Sequence, residues 1–172
     1  MAVETLSEEL ARVRADFARR VNEMTPAQLS QPTVGTRWTN RQLLFHMVFG
    51  YLVVLRLLWL VKVLGRLPRP VRRAFAATLN AVTRPFHWIN YWGSVGGGRV
   101  VTPARMVATL DRTTAKIESD ATRQGGRALT LGMDYPTDWD PYFHPYMTLA
   151  DVYRYPTQHY DHHTRQLSVQ PR

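Results

Sequence analysis

The stretch TQHYDHHTRQL, residues 157–167, places His159, His162 and His163 within five positions, half of the chain's six histidines. Imidazole is neutral or charged near pH 7 according to its surroundings, so it serves as a metal ligand or a proton carrier. Such a cluster therefore reads as metal ligation, as proton handling, or as a polar helix end. His46 lies far upstream in the apolar run LLFHMVFGYLVVLRLLWLVKVLG, and His144 sits in the aromatic loop YFHPYM.

The remaining composition narrows the chemistry. Among the 172 residues there is no cysteine, which removes a thiolate metal site, a disulfide scaffold and a cysteine nucleophile. Any zinc must be held by His, Asp, Glu or water. The net charge of +9 raises nucleic acid and anionic membranes as partners. The basic residues are dispersed, with local clusters at Arg12, Arg14, Arg19 and Arg20 and at Arg66, Arg69, Arg72 and Arg73. No nucleic-acid motif accompanies them, so no specific nucleic-acid partner is expected. The start, MAVETLSEEL, lacks the basic residues and apolar run of a secretion signal, and a cytoplasmic protein is expected.

Helices must position the histidines. Leu6, Leu10, Val13, Phe17, Val21 and Met24 recur every three or four residues and predict an amphipathic helix over 7–24, with Ser7 as its N-cap. Thr25-Pro26 opens a short turn of helix. Thr39 and Gln42 form a capping box ahead of an apolar helix running from Asn40 to about Leu64. That run approaches the length of a membrane span, but His46, Arg56 and Lys62 interrupt it, and a bundle-core helix is the reading adopted. Residues 71–92 read as a helix interrupted at Pro85, followed by GSVGGGR as flexible loop. The segment 65–101 reads as a lid, a membrane-touching element or a pair of short helices, and its basic and aromatic residues allow peripheral membrane contact. Thr102-Pro103 starts the next helix, with Met106, Leu110, Thr114 and Ile117 inward and Gly125 or Gly126 at its end. Thr148 and Asp151 cap a last helix running to about Val169. No period-two series predicts strands. The expectation is an all-α four-helix bundle in one domain, 1–172, with a long insert between the second and third main helices.

On the last helix, Leu149, Val152, Tyr155, His159, His163 and Gln166 share a stripe. Positions i and i+4 lie about 40° apart around the axis, so His159 and His163 can converge on one metal. His162 competes, because i and i+3 also share a face. Pro156 is expected to kink the helix just before them. His46 falls on a stripe with Gly50, Val53, Leu57 and Leu64, and a buried lone imidazole needs a partner. Facing the last helix, it completes a three-histidine site with open positions.

The stretches WTNRQLLFHM and HYDHHTRQL resemble those of the DinB/YfiT-like bundle superfamily. The resemblance implies four long helices and a metal held by one histidine of the second and two of the last, here His46, His159 and His163. It also implies a low-molecular-weight thiol cosubstrate such as mycothiol or bacillithiol, S-transfer to a small-molecule electrophile, and a homodimer.

From these residues the expected metal is Zn2+, with Ni2+ as the alternative, activating the cosubstrate thiol. His144 and His162 are the candidate proton-handling catalytic residues, with Asp161 beside them as a hydrogen-bond partner of the ligands. Tyr142, Phe143, Tyr146 and Trp139 are candidates to wall a pocket. A metal-assisted hydrolase is the second reading, though no HExxH motif or neighbouring Glu offers a base. A non-catalytic, stress-related or membrane-surface bundle is the third.

Overall fold

A computed structural model describes residues 5–169; residues 1–4 and 170–172 fall outside it. Eight helices and one short hairpin follow in the order α1 (Leu6–Glu23), α2 (Pro26–Ser30), α3 (Asn40–Leu64), α4 (Arg69–Ala81), α5 (Thr83–Val100), α6 (Pro103–Arg123), α7 (Gly126–Leu129), β1 (Gly132–Asp134), β2 (Tyr146–Thr148) and α8 (Leu149–Thr164). The long helices α1, α3, α6 and α8 form the all-α bundle, with α6 and α8 each packed against both α1 and α3. Leu10, Val13 and Phe17 of α1, Leu43, Met47 and Tyr51 of α3, Met106, Leu110 and Ile117 of α6, and Leu149 and Tyr160 of α8 fill the core.

Threonines set most of the helix starts. Thr25, Thr39 and Thr148 cap α2, α3 and α8, each receiving the N3 backbone N–H while the N3 side chain returns to the cap. Thr5, not Ser7, caps α1, because Glu8 stands three residues after Thr5; the Ser7 hydroxyl donates instead to Glu118 of α6. The apolar run 40–64 is the one helix among the described residues long and apolar enough to cross a membrane. It is also the central helix, contacting α5, α6 and α8.

The 65–101 segment is two helices, and its purpose follows from direction. Lys62 near the end of α3 pairs with Asp120 near the end of α6 at 2.7 Å, so these helices run the same way. The chain must therefore return along the bundle before α6 begins. α5 does this antiparallel to α3, with Arg41 donating to the carbonyls of Arg99 and Val101.

GSVGGGR is thus helix, not flexible loop. A Cβ on Gly98 would lie 2.8 Å from the Gln42 backbone, and one on Gly97 would meet the Phe45 ring at 2.0 Å. These glycines serve close helix approach, a tertiary demand that outweighs their low helix propensity. Two further differences are local. α6 ends at Arg123 with Gln124 as its C-cap, ahead of the glycines. β1 and β2 pair antiparallel, Gly132 opposite Thr148, but three-residue strands are too short to show a period.

α8 stops at Thr164 rather than near Val169. Asn40 holds the chain beyond it: its side-chain amide donates to Gln28 O and Ser168 Oγ at 2.8 Å, and its Oδ1 accepts from Ser168 N at 3.1 Å.

The two kinds of glycine predict opposite outcomes. Gly98→Ala overpacks α5 against α3 and should destabilise by ~1–3 kcal/mol. Gly96→Ala meets no atom within 4 Å and should stabilise the helix by ~0.5–1 kcal/mol. Thermal unfolding of both variants checks this, and shifts of the same sign would contradict the close approach.

Candidate metal centre

His46 lies two turns into α3, and His159 and His163 lie a turn apart near the end of α8. Their three Nε2 atoms form a nearly equilateral triangle: 3.2 Å from His46 to each partner and 3.1 Å between His159 and His163. His46 and His159 are buried, and His163 is partly so. Trp38, at the end of the 31–39 loop, stacks on the His46 ring with centroids 4.5 Å apart. The loop turns through Gly35 at φ 74°, a left-handed conformation suited to glycine. Gly50 makes room for the His159 ring, since a Cβ there would stand 3.1 Å from its Nδ1.

The outer nitrogens fix the protons. Ser94 Oγ of α5 donates to Asn90 O at 2.8 Å, so it accepts from His46 Nδ1–H at 3.1 Å. Gln166 Oε1 accepts from His163 Nδ1–H at 2.6 Å. Both neutral rings therefore present bare Nε2 lone pairs to each other and to His159 Nε2. Burial, with the neighbouring His163, pushes the pKa of His46 down to about 3. Burial pushes His163 down to about 4 against the opposing Gln166 bond, and it drives His159 well below the usual histidine range.

A cation at the centre of the triangle would relieve this crowding. Metal–nitrogen bonds of about 2.0–2.1 Å at a tetrahedral centre place their nitrogens about 3.3–3.4 Å apart. The observed triangle is within a few tenths of an ångström of that spacing, so the three histidines could hold a metal.

The model of the DinB superfamily matches residues 9–167. The chain belongs to the DinB superfamily. Comparison with curated proteins gives no match, and comparison with solved structures gives none.

Around this DinB triad, the structure separates the other histidines. His162 is directed away from the triangle, with its Nδ1 3.1 Å from the Tyr142 hydroxyl. His144 is exposed on the 135–145 loop and does not line the cavity beside the triad. His87 and Trp88 are exposed on α5. Asp161 is held in a two-pronged ion pair with Arg12 of α1 at 2.9 and 3.0 Å, so the hydrogen-bond partners of the triad are Ser94 and Gln166 instead. Trp139 and Phe143 line the cavity, as expected of the aromatic loop. Tyr146 lies over the Arg72 guanidinium and Tyr142 turns to His162.

Asp140 was not singled out in the sequence. Its Oδ2 stands 3.9 Å from His159 Nε2 and accepts from the Tyr155 hydroxyl at 2.9 Å. Oδ1 accepts from the Tyr142 backbone at 2.9 Å. Burial pushes the carboxyl pKa up, and these bonds only partly reverse it. In DWDPYF it is one of several loop acids without periodicity, and the β1–β2 hairpin brings it to the site.

Because the triad is neutral when folded but titrates near 6.5 unfolded, the unfolded chain binds more protons below that pH. Metal-free protein should lose stability progressively as pH falls from about 6.5 through about 4. Proton NMR should show the His46 and His163 ring resonances unchanged from pH 7 to about 5; midpoints near 6.5 would contradict the assignment.

Proposed function

We propose that this DinB protein is a cytoplasmic, metal-dependent transferase, with zinc held by His46, His159 and His163, that activates a low-molecular-weight thiol such as mycothiol or bacillithiol for S-transfer to a small electrophile. The observation that carries the reading is the pair of bare Nε2 lone pairs on His46 and His163, 3.2 Å apart. A divalent metal at that point supplies Lewis acidity, which favours ionisation of a thiol or water in contact with it. With no cysteine in the chain, the reacting thiol comes from solution.

The chain's own residues supply the rest. Ser94 and Gln166 hold the His46 and His163 rings in the ligating tautomer. Asp140 is placed to accept the thiol proton, and its burial makes it a stronger base than an exposed carboxylate. Tyr155 and the Tyr142 backbone orient that carboxylate. In transfer to an aryl halide the C–S bond forms, the halide leaves with the C–halogen electrons, and the thiol proton goes to Asp140.

Asp140 also favours a second reading, metal-assisted hydrolysis with water in place of the thiol, because it supplies the base that the sequence did not reveal. One assay separates them: loss of free mycothiol or bacillithiol with an activated aryl halide, beside cleavage of a nitrophenyl ester. The transferase reading predicts thiol loss in zinc-loaded protein, reduced roughly 10²-fold or more in Asp140→Asn. Ester cleavage with the thiol untouched would overturn it in favour of the hydrolase.

A further inference from the structure

One end of the triad opens into a cavity of about 120 Å³ between α3, the α4–α5 insert and the 135–145 loop. Its polar lining is concentrated at the histidine end, where His46, Asn90, Asp140 and His159 meet. Along α3 the wall continues through Val53 and Leu57 to Val61, fifteen positions beyond His46. At 1.5 Å per residue that stripe extends about 22 Å along the helix axis. The apolar lining is therefore elongated along α3. For comparison, an engineered apolar cavity of about 150 Å³ stays dry and binds benzene.

The insert builds the facing wall. Phe75 and Leu79 of α4 and Phe86 of α5 line the space. Phe86 stacks on Trp139 with centroids 3.9 Å apart, and Trp139 Nε1 donates to Leu79 O at 2.9 Å. These ties hold the loop against the insert. The stripe of Gly50, Val53 and Leu57 that follows His46 in the sequence faces this space, while Leu64 is buried in the core.

We propose that the cavity is a substrate arm for a linear alkyl or acyl chain, with the chain's reacting end at His46, His159 and Asp140 and its tail along Leu57, Leu60 and Leu79. This assigns an apolar, chain-bearing electrophile to the reaction, and it rests on the metal-site reading only for the reacting end. The carbon chain itself is bound by apolar contact with α3 and the insert.

The test is calorimetric titration of the protein with the n-alkanols from butanol to octanol, metal-free and zinc-loaded. Each added methylene should tighten binding about fourfold, equivalent to about 0.8 kcal/mol, until the arm is full. Leu57→Trp, which fills the arm from a half-exposed position, should weaken octanol binding at least tenfold with unchanged helical circular dichroism. Leu79→Gln is the second variant and should act in the same direction. Equal affinity from butanol to octanol, or octanol binding unaffected by both substitutions, would overturn the proposal. A methylene series intact in protein that takes no zinc supports the arm and counts against the metal centre, so the two failures are distinguishable.

Discussion

Two unprotonated ring nitrogens face each other at 3.2 Å between helices that are 117 residues apart in sequence at that point. Lone pairs in that position repel, and burial removes the option of separating them with a proton. The bundle holds this arrangement because each ring is fixed from behind. Ser94 reaches His46 only if α5 lies close to α3, and Gln166 reaches His163 from the turn just beyond α8, whose place must be held.

The fold's less obvious features serve those two conditions. Gly97 and Gly98 of α5 bring Ser94 within reach by leaving room for the Phe45 ring and for Gln42 of α3. Asn40, buried at the first position of α3, binds Gln28 and Ser168 and so fixes the chain that carries Gln166. The return stroke from α3 to α6 creates the apolar wall beside the site. The same connection thus supplies the hydrogen-bond partner of His46 and encloses the space in front of the histidine triad.

The bundle was legible because α1, α3, α6 and α8 are each long apolar or periodic helical runs, with a threonine start signal ahead of α3, α6 and α8. His46, His159 and His163 were legible for the same reason: spacing on two regular helices determines which faces can meet. Glycine-rich helix was not legible, since local propensity reads GSVGGGR as loop and only the neighbouring helix explains it. Asp140 was hidden in an irregular loop whose position depends on a three-residue hairpin. Ser94 and Gln166 are common polar residues, and their importance arises from the rings they face. Asp161 drew attention by adjacency to His162, but on α8 adjacent residues point about 100° apart, and it turns to Arg12.

The central claim is that His46, His159 and His163 bind one metal together. The most direct test is metal content by mass spectrometry after zinc loading and desalting, with wild type beside His46→Ala and His163→Ala. The account predicts about one equivalent of zinc in wild type and loss from both variants, because neither helix alone supplies enough ligands. Wild type that retains no zinc, or a His46→Ala variant that retains it fully, would contradict a shared centre.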